Sequence, residues 1–211
     1  DDRSVRIWNA FNGDPLRTLA NAHTRGVTAL CYSPCSTRLA SAGGDRLVKV
    51  WDADYWEPLL TLEGHEDRAL TLAFSPDGGT LASGGDDRSV RVWDSVSGEQ
   101  RLFLRGHDGE GGCSCARFGA LNEDCACLGH REAVRAVVFS LCGRTLASGS
   151  LDGMYKVWNA AIGARLRAFT MGQEVSCVAI LSHAGSLSPL PEQQQQEGGQ
   201  QQGSAGFKLS G

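Results

Sequence analysis

The 211 residues of the chain are 41% hydrophobic, enough for one globular domain, and its formal charge is −4 with an isoelectric point near 5.7. Because such a chain has no general basic surface, binding of nucleic acid through its phosphates is not expected. No apolar run approaches the length of a membrane-spanning helix, no signal peptide is visible at the start, and the eight cysteines are too irregularly spaced for a disulfide framework. We therefore expect an intracellular protein that has no membrane partner.

The first 22 residues predict two strands. Val5, Ile7 and Trp8 indicate one strand, and residues 16–19 indicate the next. Asp2 precedes Trp8 by six residues, and an Asp at this distance from a Trp returns three times further along the chain. We therefore interpret residues 1–22 as the second half of a repeating unit.

Complete copies of this unit follow, and each predicts four short strands. They are residues 23–64, 65–106 and 130–171. In the second copy, an apolar run at 69–74 is followed by the turn sequence SPDG, and later strands alternate apolar and polar residues. Units of 42–43 residues with four strands are typical of the blades of a β-propeller. The pattern predicts an all-β fold of four-stranded antiparallel blades.

Four residue types return at fixed offsets in each complete unit. A His is followed by a Ser after 18 residues, an Asp after 22 and a Trp after 28. These residues are His23, Ser41, Asp45 and Trp51; His65, Ser83, Asp87 and Trp93; and His130, Ser148, Asp152 and Trp158. With this pattern the chain resembles the WD-repeat β-propeller family, and the resemblance covers residues 1–181.

The resemblance implies that each set of four is a structural tetrad. In WD-repeat proteins the His contacts the Ser and the Asp, and the Trp indole donates to the Ser. A Ser, a His and an Asp also make a catalytic triad, but a nucleophile must face its substrate, and three equivalent sites in one chain are unusual for an enzyme. We expect structural tetrads, no catalytic residue, no cofactor and no small-molecule substrate.

The same resemblance predicts about 3.5–4 blades, either incomplete or part of a larger propeller. The half unit 1–22 precedes the complete units, and a lone first strand is predicted at 172–181. A closed ring of four blades would need a further strand at 186–190, where Pro189 is unfavourable. Residues 182–211 are rich in Gln, Gly and Ser, which predicts a disordered tail.

An insertion at residues 108–128 interrupts the repeat. It contains Cys113, Cys115, Cys125 and Cys127, and four thiolates can bind a zinc ion. A C-x-C pair fits the usual ligand spacing badly, so we expect no metal and favour a plain loop, with a disulfide and a gene-model artefact as the alternatives.

Loop residues next to the tetrads are the candidates for contact with a partner protein. In WD-repeat proteins that bind peptides, binding side chains lie three and five residues after the tetrad His and directly before the Asp. In this chain the candidates are Arg68, Arg135, Leu70, Asp86 and Leu151. The two arginines can pair with an acidic peptide, although neighbouring carboxylates weaken their field.

Basic residues also stand two positions before each Trp. They are Arg6, Lys49, Arg91 and Lys156. Because their neighbours on the predicted strands are apolar, we expect these four side chains to point to solvent.

The resemblance implies a non-enzymatic scaffold or adaptor that binds other proteins or peptides through the loop face of the propeller. One alternative is a substrate-recognition subunit of a cullin-type ubiquitin ligase, although the Trp-Asp-x-Arg common in such subunits is replaced here by WNAF, WDAD, WDSV and WNAA. Another alternative is a targeting module of a larger enzyme, because no nucleotide-binding or metalloprotease motif is present. The expected location is cytoplasmic or nuclear, with a cytoskeletal or ciliary scaffold as one option.

Overall fold

The computed structural model describes residues 2–105 and 129–176 of the chain. This part contains fourteen β-strands and no helix, so it has no helix that could cross a membrane. The insertion at 108–128 with its four cysteines and the tail at 182–211 lie outside the described residues. So does most of the strand predicted at 172–181, and residues 172–176 contain no strand.

The strands pair in chain order into antiparallel sheets. The first sheet is β1 (Val5–Trp8) and β2 (Pro15–Leu19). The second is β3 (Val27–Tyr32), β4 (Arg38–Gly43), β5 (Val48–Asp52) and β6 (Pro58–Leu62). The third is β7 (Ala69–Phe74), β8 (Thr80–Gly85), β9 (Val90–Asp94) and β10 (Gln100–Leu104). The fourth is β11 (Val134–Phe139), β12 (Thr145–Ser150), β13 (Met154–Asn159) and β14 (Arg165–Thr170). The predicted all-β architecture of four-stranded antiparallel blades is confirmed.

Adjacent sheets pack face to face, and each pair shares a hydrophobic core. The first core contains Val5, Ile7, Leu19, Ala22, Leu39 and Trp51. The second contains Ala40, Ala42, Val48, Val50, Leu62, Ala69, Leu72, Leu81 and Trp93. The third contains Ala82, Val90, Val92, Leu104, Val134, Val137, Phe139, Leu146 and Trp158. Neighbouring residues of one strand enter different cores because successive side chains of a strand point to opposite faces. Burial of one such side chain contributes about 1.5–3 kcal/mol.

The first strand of each four-stranded sheet contains a β-bulge at the same place. The register skips Thr28 in β3, Leu70 in β7 and Arg135 in β11. A bulge leaves its extra residue outside the ladder and re-aims its side chain. The position five residues after each tetrad His is therefore the bulged one.

The outermost faces of the described sheets carry aromatic side chains. Trp8 lies on the face of the first sheet away from the first core and is 53% exposed. On the outer face of the fourth sheet, the rings of Tyr155 and Phe169 are stacked with centroids 4.5 Å apart. In the inner sheets the equivalent positions are aliphatic and buried, as with Val48 and Leu62.

Candidate functional site

The first predicted tetrad is brought together by hydrogen bonds between four chain segments. His23 Nδ1 lies 2.8 Å from Asp45 Oδ1, and its Nε2 lies 2.8 Å from Ser41 Oγ. The indole Nε1 of Trp51 donates to the same Ser41 Oγ at 2.9 Å. The loop before β3, the strands β4 and β5, and the turn between them are thus joined at one point.

The other two tetrads repeat this arrangement. In the second, His65 Nδ1 lies 2.9 Å from Asp87 Oδ2, His65 Nε2 lies 2.7 Å from Ser83 Oγ, and Trp93 Nε1 donates to Ser83 Oγ at 2.9 Å. In the third, His130 Nδ1 lies 3.1 Å from Asp152 Oδ2, His130 Nε2 lies 2.7 Å from Ser148 Oγ, and Trp158 Nε1 donates to Ser148 Oγ at 2.8 Å. All twelve predicted residues are therefore within hydrogen-bond distance of their expected partners.

These contacts fix one proton of each imidazole. An indole N–H only donates and a carboxylate only accepts, so the histidine donates from Nδ1. In a neutral imidazole, Nε2 then accepts from the serine hydroxyl. In the first and third tetrads burial lowers the pKa of His23 and of His130 below 6.5, although the adjacent aspartate opposes the shift.

The buried serines have no surface that a substrate could reach. Ser41, Ser83 and Ser148 are all 0% exposed, and each hydroxyl is used as both donor and acceptor. A nucleophile must reach its substrate. The geometry therefore favours a structural role for these serines over nucleophilic catalysis.

The aspartate of each tetrad is ionised and accepts hydrogen bonds from several donors. Burial by itself raises the pKa of Asp87, but hydrogen bonds from His65, Ser89 and the backbone N–H of Glu66 outweigh it and hold that pKa well below 3.8. The pKa of Asp152 is lowered in the same way, with His130 as the largest opposing partner. A buried carboxylate with several donors is stable only in its charged form.

The same carboxylates fix the loops that follow the histidines. The backbone N–H groups of Thr24, Glu66 and Arg131 donate to Asp45, Asp87 and Asp152 at 2.8, 3.0 and 2.9 Å. All three of these loop residues are exposed. The networks thus hold the backbone of an exposed loop face, which we define as the residues that follow each tetrad His together with those around each tetrad Asp.

The third network is slightly looser, and one residue explains it. A Cβ built at Gly43 would lie 2.3 Å from His23 Nδ1, so this position excludes a side chain in the first unit. The third unit has Ser150 there, and its distance from His130 to Asp152 is the longest of the three. The longer distance accommodates the Cβ of Ser150.

The basic residues two positions before the tryptophans were predicted to point to solvent, and this prediction is wrong for three of the four. Lys156 is only 3% exposed and donates from Nζ to the carbonyl of Gly129 at 2.6 Å. Lys49 is half-buried and makes the same bond to the carbonyl of Ala22 at 2.7 Å. Each carbonyl belongs to the residue directly before a tetrad His, so the lysine ties that loop to the third strand.

The other two members of this set differ from the lysines. Arg91 is 7% exposed, donates to Gln100 and stacks on the ring of Phe103 at 4.3 Å. Arg6 is exposed and pairs with Asp2 at 2.8 Å. The prediction failed because the alternation of residues along a strand shows on which face of the sheet a side chain lies. It does not show whether a loop covers that face.

The predicted partner-binding residues lie on the loop face of the second and third units. Arg68 Nε donates to Asp86 Oδ2 at 2.6 Å, so the structure joins these two candidates, and the Arg68 side chain is 54% exposed. Arg135 is exposed, and Leu70 and Leu151 are half-buried.

A cleft that the sequence did not predict opens beside Arg68. Its volume is about 440 Å³, and it is lined mainly by residues of the first complete unit, among them Arg25 and Gly44. The signal that could have located it is the glycine directly before Asp45, where the other two units carry Asp86 and Leu151.

Within residues 2–105 and 129–176 no group of three or more His, Cys, Asp and Glu side chains is arranged to hold a metal ion. The four cysteines that the sequence offered as a disfavoured zinc site lie outside these ranges.

Comparison with known families identifies the repeats. The family described as "WD domain, G-beta repeat" matches the chain at residues 13–52, 56–94 and 122–159. Together these matches cover more than half of the chain, and each ends one residue after a tetrad Trp.

Several curated proteins are similar to a part of the chain. The "Ribosome biogenesis protein WDR12 homolog" of Nematostella vectensis is 36% identical over 73 residues, which cover 33% of this chain and 18% of that protein. The "DDB1- and CUL4-associated factor 11 homolog" of Caenorhabditis elegans is 36% identical over 70 residues, 30% of this chain and 12% of that protein. The "Target of rapamycin complex subunit wat1" of Schizosaccharomyces pombe is 38% identical over 75 residues, 35% of this chain and 23% of that protein.

Among solved structures, one titled "Structure of U3-55K" resembles the chain with a TM-score of 0.61 and 23% identity. The match covers 74% of this chain and 42% of that one. At this identity the likeness concerns the fold.

Proposed function

Because the chain belongs to the WD domain, G-beta repeat family, we propose that it is a non-enzymatic scaffold that binds other proteins through its loop face. The observation that carries the proposal is the repeated fixing of an exposed loop by a buried network. In each complete unit the tetrad aspartate holds the backbone after the histidine, while the side chains of that segment stay exposed. Rigid scaffolds with variable exposed loops are the usual basis of protein recognition.

The relatives support this proposal in general terms. The names of the three curated relatives above assign them to a Target of rapamycin complex, to ribosome biogenesis and to association with DDB1 and CUL4. This chain spans less than a quarter of the length of each of them. We extend to it only the coarse role of a subunit that contacts other proteins, in the cytoplasm or the nucleus.

The proposal can be tested by quantitative affinity capture with matched variants. The double variant Arg68→Glu/Arg135→Glu reverses two charges on the loop face. The control variant Arg17→Glu/Arg167→Glu makes the same change on two exposed arginines of β2 and β14. We expect the first variant to lose partners that the wild type and the control both retain, at equal melting temperature. Retention of every partner by the loop-face variant would contradict the proposal.

A substrate-recognition subunit of a cullin-type ubiquitin ligase is the second candidate. It is favoured by the similarity to a CUL4-associated factor, which covers 30% of this chain. Against it, the position of the expected Arg is Phe11, Asp54, Val96 and Ala161 in the four units. A binding assay with purified DDB1 separates the two candidates, because a general scaffold requires no direct binding to DDB1.

A further inference from the structure

We propose that the cleft between the first and second complete units is a binding site for an acidic peptide, whose carboxylate or phosphate groups pair with Arg25 and Arg68. This inference rests on the proposed function and adds the chemical class of the partner. Carboxylates and phosphates pair with guanidinium groups through charge-assisted hydrogen bonds.

The lining of the cleft is basic, although the chain as a whole is acidic. Three arginines, Arg3, Arg25 and Arg68, line its volume of about 440 Å³ together with Thr24 and Thr28. None of the described residues that line it is acidic. Like charges that line one cleft repel each other, and an anionic ligand relieves the part of this repulsion that the pairing of Arg68 with Asp86 leaves.

Comparison between units shows why the cleft is found here. Two positions after the tetrad His, the first unit has Arg25, whereas the second and third have Asp67 and Glu132. Directly before the tetrad Asp, the first unit has Gly44, whereas the second and third have Asp86 and Leu151. A Cβ at Gly44 would lie 3.3 Å from Arg25 Cβ and 3.7 Å from Arg68 Cδ. The missing side chain therefore keeps the space between the two arginines open.

Arg68 is held in place by a hydrogen bond from its Nε, and its two Nη groups take no part in this bond. Its Nε donates to Asp86 Oδ2, and the side chain is still 54% exposed. Asp86 offsets part of the charge, but it also fixes the guanidinium plane before a ligand arrives. Preorganised groups lose less entropy on binding than free ones do.

The walls of the cleft are joined to each other. Thr28 Oγ1 of the first unit donates to the carbonyl of Ala69 in the second. In the floor, the backbone N–H of Gly44 donates to Gly26 O at 2.8 Å. These bonds join the backbone segments that carry the two arginines.

Asp45, Glu66 and Asp67 line a neighbouring pocket that shares Arg25 with the cleft, and each of these carboxylates already has a partner. Asp45 is bonded to His23, and Glu66 pairs with Arg105 at 2.8 Å. Asp67 accepts the backbone N–H of Arg68 at 2.8 Å. None of these contacts is to the Arg25 side chain, so they leave it available to a ligand.

Fluorescence anisotropy on the 211-residue chain tests the proposal with fluorescein-labelled hexaglutamate, hexaserine and hexalysine. We expect hexaglutamate to bind more tightly than the other two, with an affinity that falls as salt is added. Arg25→Glu reverses a charge in the cleft, and Gly44→Leu fills the floor with the residue type that the third unit carries there. Both variants should weaken hexaglutamate binding by at least about tenfold, which corresponds to about 1.4 kcal/mol.

Arg17→Glu on β2 is the matched control, because it makes the same charge change outside the cleft. Its binding should stay within about twofold of the wild type, as expected for a remote surface charge. Circular dichroism melting of each variant separates loss of binding from loss of fold.

The proposal is overturned if the wild type does not prefer hexaglutamate, or if a folded Arg25→Glu variant binds it as well as the wild type. Tighter binding of single-stranded oligouridylate than of hexaglutamate would also overturn it, since the ligand would then be nucleic acid. If these results occur while Arg68→Glu/Arg135→Glu still loses captured partners, the scaffold proposal stands and only the peptide class is wrong.

Discussion

At the scale of single residues, the tetrad aspartates are the positions where one substitution removes the most hydrogen bonds. Asp87 accepts from His65, from the backbone of Glu66 and from both the backbone and the hydroxyl of Ser89. These contacts are buried or half-buried, and the Asp87 side chain is 3% exposed. A buried donor that loses its acceptor costs about 1–3 kcal/mol.

We predict that Asp87→Ala lowers the free energy of unfolding by about 3 kcal/mol, because several buried donors lose their acceptor at once. Urea denaturation gives the value. Asp54→Ala, on the exposed turn after β5, is the control and should change it by less than about 0.5 kcal/mol. Equal midpoints for Asp87→Ala and the wild type would show that the network does not stabilise the fold.

Because the tetrad histidines are buried, we predict that the free energy of unfolding decreases at mildly acidic pH. Burial holds the pKa of His23 and His130 below the 6.5 of an unfolded chain. As pH falls below 6.5, the unfolded state therefore binds more protons than the folded state does, and the free energy of unfolding decreases. The aspartates, whose folded pKa is below 3.8, add a second loss only at lower pH.

The measurement is the urea midpoint at about pH 7.5 and about pH 5, above the range in which the carboxylates titrate. We expect a lower midpoint at the lower pH. A His23→Asn variant should be less stable at both values but should show a smaller difference between them. An equal midpoint for the wild type at both values would mean that the imidazoles are not held neutral.

At the scale of elements, the lysines of the first and third units add a second link between the third strand and the loop before the tetrad His. Lys156 connects β13 to the loop before β11, and burial lowers its pKa to about 8. We predict that Lys156→Met, which keeps most of the apolar stem, lowers stability by about 1–2 kcal/mol because Gly129 O loses its donor.

Arg6→Met is the natural comparison, since Arg6 occupies the same place in the repeat but is exposed. It should change the free energy of unfolding by less than about 0.5 kcal/mol. Similar effects of the two substitutions would mean that the bond to the loop contributes little.

Sequence periodicity predicted the strands well and the loops poorly, for a physical reason. The apolar run at 69–74 forms β7 as expected, because alternation and turn residues are local signals. The bulges that leave Leu70 and Arg135 out of the ladder arise from the pairing of two strands, which no single strand sequence shows. The buried lysines and the cleft at Gly44 likewise depend on segments that meet only in the fold.

At the scale of the whole molecule, each hydrophobic core lies between two neighbouring sheets. The third sheet, β7–β10, contributes to two hydrophobic cores, whereas the first and fourth contribute to one each. In such arrays stability is approximately a sum over units and the interfaces between them.

We predict that amide hydrogen exchange is slowest in the second and third sheets, which have a core on both faces, and faster in β1–β2 and β11–β14. Mass spectrometry of peptic fragments measures this at the resolution of single sheets. Uniform protection of all four sheets would indicate that they unfold as one unit.

The separation between closed networks and open loops has a consequence for how such a chain can diversify. Each unit contains all the partners of its own tetrad, so a duplicated unit would form the complete hydrogen-bond network by itself. The charge of a residue outside the network can then change without effect on the network. One such place is occupied by Arg25, Asp67 and Glu132 in the three units. New recognition surfaces can therefore arise by copying and altering units, without redesign of what holds each unit together.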